Sequence, residues 1–236
     1  MAFEAAIFDV FGTVVNWRRG VSEAVAPALA AKGIEIEPAS LADAWRNEYQ
    51  PSMERVRAGE RPYTRLDTLH HENLLRVLER MGLADRFTVE ETAALNTAWE
   101  RLPGWPDAPA GIAAIRAHRL VAPCSNGSIG MMARIARFAG LEWDCILGAD
   151  VARAYKPDPA AYLGSAAALG LEPGSVLMVA AHNADLAAAR AAGLGTAFVP
   201  RPHEHGPGQT TDLGPESEWD VVAEDLIALA ARLEPR

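Results

Sequence analysis

The chain has 236 residues, 50% of them hydrophobic, and a formal net charge of −9. That length accommodates one large domain or a core with an insertion, and the apolar content is enough for a substantial core. The acidic balance, with no run of cations beyond Arg18-Arg19, excludes the clustered Lys and Arg that nucleic-acid binding requires.

Cys124 and Cys145 are the two cysteines, without CxxC or Cys/His ligand spacing, and read as reduced thiols. No apolar run approaches membrane-spanning length, and the N-terminus enters a strand without a basic leader. The expectation is a cytoplasmic protein with neither membrane nor nucleic-acid partner.

The first strand sets the frame. Ala5-Ala6-Ile7-Phe8 leads to Asp9 and then Val10-Phe11-Gly12-Thr13. An uninterrupted apolar run predicts a parallel strand buried on both faces, whose carboxyl end delivers Asp9 into a crevice. Ligands of open α/β sheets bind beyond those strand ends, which places Asp9 for chemistry. The residues alone equally allow an Asp that caps the following turn.

Residues 20–101 show helical periodicity and no strand. Val21, Val25, Ala28 and Leu29 share one face, Leu41, Ala44, Trp45 and Met53 a second, and Leu66, Leu69, Leu74, Leu75 and Leu78 a third. Three or four helices are expected, the second N-capped by Ser40, with Gly33 and Gly82 at helix ends.

From about Pro106 strands alternate with helices, the pattern of a parallel sheet with crossover helices. Strands are expected at 120–124, 145–147, 176–180 and 196–199. Helices are expected at 128–139, 160–169 and 184–192, closed by Gly140, Gly170 and Gly193. Residues 200–218 read as a Pro/Gly-rich loop in which His203 and His205 are solvated, ahead of a last helix at about 221–233. The predicted fold class is α/β: a Rossmann-like parallel sheet core, residues 1–15 and 102–236, with helices on both faces and a helical cap, residues 16–101, inserted after the first strand. A cap there closes on a small substrate and excludes water.

Each core strand exit carries a different polar group. Ser125-Asn126-Gly127-Ser128 opens a helix and offers amides and hydroxyls to an anion, or serves as its N-cap. Tyr155-Lys156-Pro157-Asp158 fixes a lysine at a strand-to-helix junction, where it neutralises a buried carboxylate. Ala181-His182-Asn183-Ala184-Asp185 places three polar side chains at a further exit.

In this order, Phe-Asp-x-Phe-Gly-Thr, Ser-Asn-Gly-Ser, Tyr-Lys-Pro-Asp and the Asp185 loop, the whole chain resembles the haloacid dehalogenase superfamily, and its insertion is similar to the cap of the type II (S)-2-haloacid dehalogenases. The departures from the superfamily's phosphatases are informative. Their second acid is replaced by Phe11, and a further metal-binding acid by Ala181. Magnesium needs hard oxygen ligands, so these losses disfavour it, and no metal and no cofactor is expected.

The resemblance implies that Asp9 attacks carbon 2 of a short 2-haloacid, forming an ester that water hydrolyses to a 2-hydroxy acid. It implies that Lys156 keeps Asp9 ionised, that Asp185 orients Lys156, and that Thr13 positions Asp9. Asn183 and His182 complete the catalytic set. The substrate carboxylate would meet Ser125 and the amides of Val10 and Phe11. The halide would meet Arg46, beside Trp45, and Asn126, and Tyr162 would support the lysine. Arg46 also reads as a solvent-exposed arginine, Tyr162 as a core tyrosine, and His182 as a buried histidine bonded to its loop. The implied function is metal-independent hydrolysis of 2-haloacids such as (S)-2-chloropropanoate. The alternatives are a fluoroacetate dehalogenase, a magnesium-dependent phosphatase and a non-catalytic binding protein. A homodimer is compatible with the resemblance.

Overall fold

The computed structural model describes residues 3–233. Five parallel strands, β1 (Ala5–Phe8), β2 (Leu120–Pro123), β3 (Val176–Ala180), β4 (Gly195–Phe198) and β5 (Val221–Val222), form one sheet in the order β2-β1-β3-β4-β5. β1 lies between β2 and β3 in register, with Phe8 opposite both Pro123 and Val179. The carboxyl ends of these three strands therefore finish side by side.

Alternation along the strands divides the core between two faces. Ala6, Phe8, Leu177 and Val179 pack with α6 (Ala108–Arg116) and α10 (Leu226–Leu233). Ala5, Ile7, Met178 and Ala180 pack with α8 (Pro159–Ala168) and α9 (Asn183–Ala191). Helices on both faces explain why each strand is apolar throughout. Beyond β2, α7 (Ile129–Ala139) is N-capped by Ser128, whose hydroxyl accepts from Met131 N at 3.1 Å, and ends at left-handed Gly140 (φ 67°).

Between β1 and α6 lie α1 (Trp17–Ala31), α2 (Pro38–Asn47), α3 (Tyr49–Arg57), α4 (Leu66–Arg80) and α5 (Val89–Asn96), followed by a 3₁₀ turn at Thr97–Glu100. Their apolar faces join the first core face through Trp17, Trp45 and Trp99, all fully buried. Arg57 Nη1 donates to Lys156 O at 3.0 Å. Tyr63 OH and Arg65 Nε donate to Asp150 Oδ1 at 3.1 and 3.0 Å. These bonds fasten the helical region over the strand exits.

Three local expectations are corrected. Residues 145–147 form no strand. The backbone there is used by Asp144, which accepts from Val121 N (2.9 Å) and donates its own amide to Val121 O (3.0 Å), closing the edge of β2. The last helix starts at Leu226 because Val221-Val222 pairs with β4 as a short edge strand. The second helix begins at Pro38, whose ring fixes a helical φ at the first turn, so Ser40 lies inside the helix and Glu37 is the cap residue. Among the described residues no helix is long and apolar enough to cross a membrane.

Candidate active site

Asp9 follows β1 directly, its amide bonded to Val179 O at 3.0 Å, and its residue is 6% exposed. Both carboxylate oxygens are engaged. Oδ1 accepts from Lys156 Nζ at 2.9 Å, and Oδ2 accepts from Thr13 Oγ1 at 2.7 Å and lies 3.2 Å from His182 Nδ1. Thr13 Oγ1 in turn accepts from Ala181 N at 2.9 Å, locking the first turn to the exit of β3.

Lys156 also donates to Asp185 Oδ2 at 2.5 Å, and Tyr162 OH donates to Asp185 Oδ1 at 2.5 Å. The Lys156 amide is held by Asn126 Oδ1 at 2.7 Å, which ties this junction to the exit of β2. The exits of β1, β2 and β3 thus contribute groups to one cluster, and Lys156 joins it from the loop before α8.

His182 is held from both sides. Its Nδ1 faces Asp9, and its Nε2 lies 2.8 Å from Glu204 Oε2. Glu204 is 1% exposed and receives the Trp17 indole N–H on Oε1 at 2.8 Å. Gly12, at φ +92°, makes room for it: a Cβ there would stand 2.1 Å from Glu204 Oε1. The loop carrying Glu204 is anchored by Arg201, which donates to Thr13 O at 2.9 Å and forks onto Asp107 at 2.8 Å.

The electrostatics follow from this geometry. Burial opposes the charge on Asp9, but Lys156 and then His182 outweigh it and hold the carboxyl far below its usual range. Burial likewise opposes the Lys156 ammonium, and Asp185 and Asp9 hold it well above its ordinary value. His182, also opposed by burial, is raised well above 6.5 by Glu204 and Asp9. The cluster thus sets three carboxyl groups, those of Asp9, Asp185 and Glu204, around one lysine and one histidine.

A cavity of about 620 Å³ opens onto Asp9. Its walls are the charged cluster on one side and Phe11, Arg46, Tyr49, Gln50 and Arg57 on the other. The Arg46 guanidinium carbon sits 3.9 Å from the Tyr49 ring centroid. Asn126 reaches the same wall with its amide nitrogen uncommitted to the Lys156 bond.

A family profile described as haloacid dehalogenase-like hydrolase matches residues 3–193. The chain belongs to the haloacid dehalogenase-like hydrolase family. It is 47% identical to the solved structure of a defluorinating L-2-haloacid dehalogenase, Rha0230, with a TM-score of 0.96 over 98% of this chain and 95% of that one. It is 29% identical to (S)-2-haloacid dehalogenase 4A of Burkholderia cepacia over 85% of this chain and 84% of that protein. It is also 32% identical to a phosphoglycolate phosphatase of Cereibacter sphaeroides, over 85% and 87% respectively.

A magnesium ion needs several hard oxygen ligands. Asp9, His182 and Asp185 bring ligand atoms within 4.8 Å of one another. The Lys156 ammonium already bridges Asp9 and Asp185, and His182 lies between Asp9 and Glu204, so a dication would have to displace the lysine from both of its carboxylates. Phe11 and Ala181, buried and apolar, supply no further oxygen. These residues do not fit a magnesium ion.

For this hydrolase fold the structure gathers Asp9, Thr13, Lys156, His182, Asp185 and Tyr162 into the cluster, and Phe11, Arg46 and Asn126 onto the cavity wall. Val10 and Ser125 are buried close by. The Ser125 hydroxyl accepts from Gly127 N at 3.1 Å, and among the described residues the Val10 and Phe11 amides have no backbone acceptor.

Two expectations fail. Asn183 begins α9 and is turned into the loop after β4: its amide donates to Asp212 and Gly214 O, and its oxygen accepts from Glu216 N and Trp219 Nε1. It builds that loop and does not line the cavity. Trp45 gives its indole N–H to His70 O at 2.8 Å and is fully buried, which leaves it no donor for a halide.

Sequence reasoning missed Glu204 entirely. No periodicity marks a residue in a Pro/Gly-rich loop; its neighbour His205 is exposed, as expected, and also packs edge-on against Trp17 at the cavity rim. The available signal was Gly12, a glycine one residue before the Thr13 that fixes Asp9.

Proposed function

We propose that this protein is an (S)-2-haloacid dehalogenase that hydrolyses short 2-haloacids without a metal, through an ester on Asp9. The observation that carries the reading is the carboxylate of Asp9, buried yet ionised by Lys156 and His182, at the base of a cavity whose far wall holds Arg46.

An ionised carboxylate freed from water is a strong nucleophile, and the Lys156 and Thr13 bonds fix its direction of attack. Asp9 displaces halide from carbon 2: one carbon–oxygen bond forms, and the carbon–halogen electron pair leaves with the halide. No acid is needed to protonate a halide, which is why Phe11 is tolerated where a phosphatase carries an acid. Arg46 and Asn126 meet the departing ion, and the amides of Val10 and Phe11 with Ser125 meet the substrate carboxylate.

Alkylation removes the Asp9 charge, one of the two that hold the His182 proton. His182 then releases that proton to solvent, with Glu204 still orienting its ring. Neutral His182 takes a proton from the water that attacks the Asp9 carbonyl, while Lys156 donates to the developing oxyanion. The carbonyl–alkoxy bond breaks, the alkoxide takes the second proton of the attacking water to give the 2-hydroxy acid, and Asp9 is restored as carboxylate with the first proton on His182. Residues 16–101 act as the cap that excludes bulk water from both steps.

The test is halide release from (S)- and (R)-2-chloropropanoate and from fluoroacetate, with EDTA present, beside Asp9→Asn. Chloride from the S form alone, lost in the variant, is the expected result. Absence of halide from all three, with magnesium-dependent hydrolysis of a phosphate ester, would overturn the reading.

A further inference from the structure

The main chain of Lys156 is gripped from two sides. Its amide donates to Asn126 Oδ1 at 2.7 Å, a bond to the exit of β2, and its carbonyl accepts from Arg57 Nη1 at 3.0 Å, a bond to α3 of the cap. Arg57 lines the cavity, but each of its three nitrogens is engaged within the protein. Nε donates to Glu54 Oε2 at 2.8 Å, Nη2 lies 2.7 Å from that same oxygen and 3.3 Å from Gln50 Oε1, and Nη1 serves Lys156. A guanidinium so committed is placed to orient Lys156 rather than to take up a substrate anion.

The chain from Asp150 to Lys156 is the surface on which the cap rests. Asp150 divides its carboxylate between core and cap: Oδ2 accepts from Ile129 N at 3.0 Å, and Oδ1 accepts from Tyr63 OH at 3.1 Å and from Arg65 Nε at 3.0 Å. This segment is held close to the exit of β2. Ala149 N donates to Gly127 O at 3.0 Å, and a Cβ at Gly148 would stand 2.5 Å from that same oxygen. Tyr155, 1% exposed, gives its hydroxyl to Thr64 O, and its ring lies 5.5 Å from that of Tyr63. Cap residues 57–65 are therefore bonded along core residues 150–156, and the series ends on the lysine that binds Asp9 at 2.9 Å.

The consequence is geometric. The direction of the Lys156 ammonium depends on the backbone beneath its flexible stem, and displacing a catalytic group by about 1 Å costs on the order of a hundredfold in rate. A cap lifted from Asp150 takes the Arg57 bond with it. Among the described residues the Lys156 carbonyl has no other hydrogen-bond donor to replace it.

We propose that Arg57 is a positioning residue for Lys156: by holding the Lys156 carbonyl from the cap, it makes the placement of the ammonium on Asp9 conditional on a seated cap, and Asp150 is the seat. The nucleophile is then fully armed only when the cavity above it is covered. The effect on catalysis rests on the dehalogenase reading, whereas the effect on Lys156 itself does not.

The chain has two lysines, Lys32 and Lys156, which makes a direct test available. The resting enzyme is trace-labelled with acetic anhydride, and the labelling of each lysine is read by peptide mass spectrometry. Lys32, paired with Glu91 at 2.7 Å, serves as internal reference. In Arg57→Ala the labelling of Lys156 relative to Lys32 is expected to rise about tenfold, because labelling follows the open population and one charged hydrogen bond no longer opposes opening. Arg57→Lys returns a donor and should restore part of the protection. Asp150→Asn leaves one acceptor oxygen where the native carboxylate uses two, and should raise Lys156 labelling with Arg57 itself intact. The rapid-quench burst of halide at saturating (S)-2-chloropropanoate should slow about tenfold in Arg57→Ala, with KM near the wild-type value.

Lys156 labelling unchanged in both Arg57→Ala and Asp150→Asn would overturn the inference, and so would labelling that rises equally at Lys32 and Lys156, the mark of general loosening. A raised KM with an unchanged burst rate would also overturn it, since Arg57 would then act on the substrate and not through Lys156. No halide from the wild type, with Lys156 labelling still governed by Arg57 and Asp150, would overturn the dehalogenase reading and leave the positioning role standing.

Discussion

Replacing Glu204 by Gln separates the two chemical steps. The change keeps the shape of the side chain and an oxygen for the Trp17 indole, 2.8 Å away in the native site, and removes the charge facing His182 Nε2. A hydrogen bond to a charged group contributes about 1.5–3 kcal/mol, so ester hydrolysis should slow by about ten- to a hundredfold. Alkylation depends on Asp9, Lys156 and Thr13, whose bonds are untouched. Rapid-quench measurement should therefore show a burst of one halide per active site followed by a slow steady state, and intact-protein mass spectrometry should show the alkyl-ester adduct on Asp9. A variant that loses alkylation and hydrolysis equally, with no burst, would refute the assignment of His182 and Glu204 to the water step. The same pair predicts a stability signature. His182 has its proton affinity raised on folding, so its contribution is complete below about 6.5, its ordinary value, and fades as pH climbs through the raised folded value. Glu204 is shifted down and contributes above its ordinary 4.5. The stability gap between wild type and Glu204→Gln in urea should be widest between about pH 4.5 and 6.5, by about 2 kcal/mol, and narrow in alkaline solution. An equal gap at every pH would contradict the ion pair.

Other substitutions test the rest of the cluster. Lys156→Met leaves Asp9 and Asp185 buried without their shared cation, which should cost about 3–5 kcal/mol in urea unfolding and shift residual activity to higher pH, because Asp9 becomes harder to ionise. Unchanged stability and pH profile would show that Lys156 does not hold Asp9 ionised. Asn183→Ala strips the bonds to the 212–219 segment and leaves the Trp219 indole unpaired, so unfolding should shift by about 2–4 kcal/mol while kcat below the melting range stays near wild type. A collapse of kcat with intact stability would restore Asn183 to the catalytic set.

What the sequence could reveal depended on regularity. Ala5–Phe8 and Val176–Ala180 are apolar on both faces, and that pattern alone located two strands and their exits. Asp9, Lys156 and Asp185 were legible because each stands next to such an exit or in a motif tied to one. Asn183 was misjudged by position: His182 and Asp185 are three apart at the start of a helix and share a side, whereas Asn183 is rotated about 100° from His182 and points to the neighbouring loop. Glu204 lies in a segment with no period, held by Arg201 and Trp17 from distant parts of the chain.

The central claim is that Asp9 becomes covalently bonded to the substrate. The direct test is a single turnover in ¹⁸O-labelled water with enzyme in excess over (S)-2-chloropropanoate, followed by mass analysis of the peptide containing Asp9 and of the lactate formed. An ester intermediate predicts unlabelled oxygen in the product and one labelled oxygen in the Asp9 carboxylate. Label in the lactate and none in Asp9 would mean that water attacks the substrate directly, and would contradict the account.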